Sequence, residues 1–257
     1  MADMKTTISR LRNSTAAIFK LRMIKAATVE EDKLVPAEFE CGWGTAFSVV
    51  TDKYLVTAFH VLNDGKLRDP SAKFYALTVP ENGSPFFIFP VVAFPVERQD
   101  LDIAILEIGP CLTAGIHLPA IPVSFAPQPD GTGVLTMGFP APEILGLNAD
   151  PSGNLLGGQF FLKSHANKGI VAAQYELNMP GVVNDLHMYE LNVAWHHGES
   201  GGPIVGSGDE PMVFSLMQHY RNVQGPHGPL PGPRRGIALS AIRQELEALG
   251  VVGLSFP

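Results

Sequence analysis

The strongest constraint on this chain is its punctuation. Short runs rich in apolar, β-branched and aromatic residues recur along it, and turn residues, chiefly Gly and Pro, separate them. With 26 Gly and 22 Pro scattered through 257 residues, few of these runs reach the length of an ordinary buried helix, whereas strands of such length are usual. The sequence therefore predicts an all-β chain of many short strands. Residues 16–24, "AAIFKLRMI", alternate in part between apolar and polar positions, as a half-buried strand does. "TAFSVV" and "YLVTAF" flank Thr51, Asp52 and Lys53 and read as a hairpin. Further strands are expected at 73–79, 86–94 and 101–108.

Prolines at 119, 122, 127 and 129 then favour an extended connection without regular pairing. This places a boundary between an N-terminal half, 1–122, and a second half, 123–257. Beyond it, "GVLTMGF", "GQFFLKS", "GIVAAQYEL", "LHMYELNV", "GPIV", "MVFSLMQH" and "RGIALS" are further strand candidates. The glycine and proline stretch 224–236 reads as an exposed loop. The last element, "SAIRQELEALG", has the pattern of a helix, with Ser240 as N-cap, Ile242, Leu246 and Leu249 on one face, and Gly250 as its stop.

Composition excludes several functions. A 46% hydrophobic and 17% charged chain is a folded protein, and its net charge of −7 gives no footprint for nucleic acid, Arg234 and Arg235 being only a local basic pair. No apolar run approaches the ~18 residues of a membrane-spanning helix. Cys41 and Cys111 do not make a disulfide framework, and two free thiols are expected. Lys5, Arg10, Arg12, Lys20, Arg22 and Lys25 give the first residues the composition of an organellar transit peptide. The strand reading of 16–24 favours a cytoplasmic chain instead.

Chemistry concentrates in "HHGESGGPIV", residues 196–205. On its own, this stretch fits the nucleophile elbow of an α/β-hydrolase, the serine loop of a trypsin-like protease, or a plain glycine turn. A serine nucleophile needs a base, and the base needs an orienting group. His60 follows the apolar run "YLVTAF", which can present an imidazole at a cleft. Asp102 stands within "LDIAIL", where a buried carboxylate requires a partner. Asp100 competes for that role but lies at the polar start of the run. His187, His196, His197 and His219 show no zinc-binding spacing, so neither a metal nor another cofactor is expected.

Together "LVTAFHVL", "DLDIAIL" and "GESGGPIV", in the order His, Asp, Ser, resemble the signature blocks of trypsin-like (chymotrypsin-fold) serine peptidases, in the style of bacterial single-chain members and the HtrA protease domain. The resemblance implies two six-stranded antiparallel β-barrels with a C-terminal α-helix, and a peptide-binding cleft between the barrels. It implies Ser200 as nucleophile, His60 as general base and then acid, Asp102 as the group fixing the imidazole tautomer, and the N–H groups of Gly198 and Ser200 as the oxyanion hole. It puts Ala194 at the base of the specificity pocket and Ser215, Leu216 and Met217 along its wall, which predicts a small or apolar residue before the scissile bond. The α/β-hydrolase reading fails because Pro203, Ile204 and Val205 favour an extended exit where that fold needs a helix.

One departure stands out. The family's activating Ile-Val-Gly-Gly start is missing, so Glu199, just before the serine, has no evident amine partner. It is expected to be solvated or paired locally, and activity to be intrinsic or governed by a regulatory protein partner. The expected function is endopeptidase action on polypeptide substrates. The alternative is a catalytically silent scaffold with the same fold, against which the complete set of His60, Asp102 and Ser200 argues.

Overall fold

The alternation in "AAIFKLRMI" becomes the strand Thr15–Lys25, and its first seven residues are buried on both faces. Ala16 and Ile18 join the principal core, while Ala17, Phe19 and Leu21 belong to a second cluster on the outside of the same sheet. What covers that outer face is a hairpin from far along the chain, Glu143–Ala149 with Leu155–Phe161. Its Phe160 meets Phe19, Trp43 and Phe86 edge-on, and Tyr75 Oη accepts the Leu155 N–H at 2.8 Å. This computed structural model describes residues 4–253 apart from 31–32, 36, 64–67, 80–84, 141, 180–182, 195, 208–209, 219–221, 226–227 and 232–233.

Thr15–Lys25 pairs antiparallel with Glu38–Val50 on one side and Lys73–Thr78 on the other. Tyr54–Thr57, Ile103–Ile108 and Phe87–Arg98 complete a closed six-stranded barrel. Closure leaves no unpaired sheet edge, the usual liability of a chain made of short strands. A second closed barrel runs His165–Met179, Val183–Asn192, Arg234–Ala238, Val213–Met217, Pro203–Gly206 and Gly133–Gly138. Two six-stranded antiparallel barrels and a short C-terminal α-helix, Arg243–Ala248, are the architecture expected from the sequence.

The connection between the barrels is extended, as its prolines require. It is anchored to the second barrel by Ser124 N–H to Val213 O and Val213 N–H to Pro122 O, both at 2.8 Å. Arg98 ties the C-terminal helix to the first barrel through Glu245 at 2.9 Å.

Several local expectations change. Met4–Asn13 is an α-helix with Leu11 fully buried, joined to the barrel by the Thr15 hydroxyl donating to Leu11 O at 2.6 Å and to the segment before His165 by Arg12 Nε on Ser164 Oγ. Ser240 caps nothing. It sits inside a 3₁₀ turn, Leu239–Ile242, and the residue preceding the α-helix, Ile242, is apolar and makes no side-chain cap. The expected stop does hold, Gly250 following the helix with φ +89°. The stretch 224–236 is not all loop, since Asn222–Gly225 and Gly228–Pro231 pair as a small hairpin and Arg234–Ala238 is a barrel strand. Cys41 and Cys111 are free thiols.

Candidate active site

His60 and Asp102 meet because their strands pair. Tyr54–Thr57 lies antiparallel to Ile103–Ile108 with Thr57 opposite Ala104, so the residues after one strand and before the other share an end of the barrel. His60 occupies a single 3₁₀ turn, Phe59–Val61. Asp102 is not within the strand, as expected from the sequence, but in the turn before it, with φ +55°. Its carbonyl accepts the Phe59 N–H at 3.1 Å and its Oδ1 accepts the His60 N–H at 2.9 Å. The same carboxylate faces His60 Nδ1 at 2.8 and 3.0 Å. A carboxylate oxygen accepts, so this contact is a hydrogen bond when the ring proton sits on Nδ1. Asp100 is engaged elsewhere: Arg98 binds it bidentately at 2.8 and 3.0 Å and holds its carboxyl below the usual range.

Ser200 lies in the turn that leads into Pro203–Gly206. Both barrels hold this turn. From the first, the Thr45 N–H donates to Ser200 O at 2.8 Å, and the Thr45 hydroxyl donates to Gly198 O at 2.6 Å while accepting the Phe139 N–H at 3.1 Å. From the second, the Gly201 N–H donates to Met217 O at 2.7 Å. Gly198 and Gly201 have φ of +95° and +84°, the left-handed region that suits glycine. At Gly201 a Cβ would also run into Thr45 O, Thr57 Oγ1 and Ala58 N. Ser200 Oγ lies 3.4 Å from the Gln218 carbonyl, and Gln218 Nε2 donates to Leu101 O at 2.8 Å. Gln218 thus links the serine to the turn carrying Asp102.

His60, His197, Gly198 and Ser200 line one cleft of about 210 Å³ together with Lys20, Glu40, Cys41 and Trp43. The proposed wall of the specificity pocket lies differently. Ser215, Leu216 and Met217 have no solvent exposure, because they form a barrel strand, and the Ser215 hydroxyl donates inward to Ile237 O at 2.8 Å. The chain reaches the serine one residue later, at Gln218. Ala194 is exposed, and His219 lies outside the described residues. Among the described residues, no three His, Cys, Asp or Glu side chains converge as a metal cluster.

Glu199 is wholly buried rather than solvated. Its Oε2 accepts the His196 N–H at 2.7 Å and its Oε1 accepts from Asn167 Nδ2 at 3.1 Å. Burial pushes its carboxyl above the usual range, opposed by these two donors and by the nearby imidazoles of His196 and His165. The local-pairing expectation therefore holds, with partners the sequence did not name. Thr45, Asn167 and Gln218 were missed altogether, and each is a polar residue in or beside an apolar run.

No curated protein matches the chain. Among solved structures, the HtrA-type protease AlgW with a tripeptide, and a serine-to-alanine variant of it with a tripeptide, are similar in fold, each with a TM-score of 0.56 and 18% identity. They are matched over 97% and 98% of this chain respectively, which spans 65% of the length of each. The family model for a trypsin-like peptidase domain matches residues 44–210, from within the strand Glu38–Val50 to just beyond the strand Pro203–Gly206 that follows the Ser200 turn. By its double barrel and by this match, the chain belongs to the trypsin-like peptidase domain family.

Proposed function

We propose that this protein is a serine endopeptidase that cleaves polypeptides through an acyl-enzyme. The observation that carries the reading is the His60–Asp102 contact, 2.8 Å at its shortest, on the same cleft as Ser200. Ser200 Oγ attacks the substrate carbonyl carbon while its proton passes to His60 Nε2. The carbonyl π pair moves onto oxygen, where the Gly198 and Ser200 N–H groups stabilise it. Collapse of this intermediate breaks the C–N bond, and the His60 proton leaves with the amine. Water, deprotonated by His60, then releases the acyl group by the same steps. The 3.4 Å contact of Ser200 Oγ with Gln218 O is long for a hydroxyl donor, so a turn about Cα–Cβ toward His60 forfeits little.

An uncharged Ala194 offers no counter-ion for Lys or Arg, and a small or apolar residue before the scissile bond is part of this reading. A peptide library cut only after basic residues would overturn that part. The reading as a whole is tested with a fluorophosphonate probe and intact-mass analysis. One adduct on the wild-type protein and none on Ser200→Ala is the expected result. A pure, folded wild-type protein that takes no label points to the silent scaffold instead.

A further inference from the structure

We propose that Glu199 and Asn167 form an internal clamp that holds the 196–200 turn in its donor-presenting shape, so that this chain builds its oxyanion hole without an amine from a newly cut N-terminus. The proposal rests on the peptidase reading above and answers the question posed by the acidic residue beside the serine.

The backbone of Glu199 lies between the two amides assigned to the oxyanion hole, so fixing its side chain fixes the peptide planes on either side. Its own N–H donates to His196 O at 3.3 Å and its carbonyl accepts the Gly202 N–H at 3.0 Å, closing the turn at both ends. Both carboxylate oxygens are engaged, one by the His196 N–H and the other by Asn167 Nδ2. Asn167 belongs to His165–Met179, where it pairs with Thr136 of the neighbouring barrel strand, so the turn is tied to the barrel wall. Gly138 makes the slot possible: a Cβ there would lie 2.8 Å from Glu199 Cβ and Cγ.

The charge state follows from the chemistry of the donors. A carboxylate accepts strongly at both oxygens, whereas a neutral acid keeps only a weaker acceptor at its hydroxyl oxygen, and an amide would turn its NH2 toward one of two N–H groups and lose that contact. The groups facing Glu199 favour its ionised form. They are Asn167 and His165 from the barrel strand and His196 from the loop, the two imidazoles packing edge-to-face at 6.4 Å. Gly138, on the remaining side, carries no charge. Burial alone opposes ionisation, so the clamp works only while Asn167 and the His196 amide both donate.

The test measures fluorophosphonate labelling rate and the ¹⁵N–¹H shifts of Gly198 and Ser200 in the wild type, Asn167→Ala, Asn167→Asp and Gly138→Ala, with thermal unfolding to confirm folding. Asn167→Ala is expected to label roughly 10- to 100-fold more slowly, up to the loss of one oxyanion donor, and to move both amide shifts. Asn167→Asp sets two carboxylates against each other. Its deficit relative to wild type is greatest near pH 8 and shrinks about tenfold or more toward pH 5, as the pair takes up a shared proton. Gly138→Ala displaces the Glu199 side chain without touching its donors and should reproduce the loss. Labelling of folded Asn167→Ala within twofold of wild type, with unmoved Gly198 and Ser200 amides, overturns the clamp. A wild type that takes no label refutes the peptidase reading separately, and the amide shifts still decide whether the clamp exists.

Discussion

The two halves of the site are built differently. His60 and Asp102 belong to one barrel and are joined by strand register: once Thr57 pairs with Ala104, their turns abut and a single carboxylate binds both the backbone and the ring of His60. Ser200 has no such local support. Its turn is held by Thr45 from the other barrel, by Met217 from a neighbouring strand, and by Asn167 through Glu199. The His60–Asp102 pair should therefore tolerate change at the junction between the barrels, while the Ser200 turn should not. Substitutions can break the two halves together or one at a time.

The largest effect is expected where the halves touch. Gly201→Ala adds a Cβ in the left-handed region, aimed at Thr45 O, at Thr57 Oγ1 and at Ala58 N, two residues from His60. Strain and overlap together cost roughly 3–4 kcal/mol. Differential scanning calorimetry should show the loss and probe labelling should fall to background. A variant that keeps wild-type stability would mean that the barrels separate easily at this point and that the comparison overstates their contact.

Asp102→Asn strikes the first half alone. The asparagine oxygen can still accept the His60 N–H, but its amide now donates to Nδ1, which moves the ring proton to Nε2 and, on the proposed mechanism, removes the base. Asparagine tolerates φ +55° at least as well as aspartate, so the melting temperature should barely move. The expected fall in labelling is on the order of 10⁴-fold, the size known for this change in the serine protease triad. A loss below about tenfold would show that His60 draws its orientation from elsewhere.

How far the sequence foretold this division follows from the same contrast. His60 and Asp102 could be read because each adjoins an apolar strand, and period-2 runs fix where such strands end. Even so, period-2 counting put Asp102 inside a strand when it terminates a turn at positive φ. Ser200 was legible from its glycines, yet Thr45 and Asn167 were not, because each acts on a residue 153 and 32 positions away in sequence. No periodicity marks such a contact. The wall assigned to Ser215, Leu216 and Met217 shows a related limit: an apolar run looks the same whether its side chains line a pocket or pack against the core, and here all three are fully buried, Leu216 in the principal core and Met217 in a separate cluster on the other face of the strand. The Met4–Asn13 helix was hidden by its basic composition, since the contacts of Leu11 and Thr15, not helix propensity, hold it in place.

Thr45→Val gives the mildest test and addresses the second half alone. Valine matches threonine in shape, but it leaves the Gly198 carbonyl and the Phe139 N–H without their hydroxyl partner in a buried place. Each unsatisfied group of this kind costs about 1–3 kcal/mol if it stays dry, visible as an earlier urea midpoint with an unchanged slope. The Gly198 peptide is then free to rotate, so labelling should slow by roughly tenfold while the His60–Asp102 pair stays intact, which the downfield proton resonance on Nδ1 would report. Thr45→Ser restores the hydroxyl and should recover most of the rate. If serine fails to rescue, the methyl packing of Thr45 rather than its hydrogen bonds supports the turn, and the Ser200 half depends on contact between the barrels more than on their polar links.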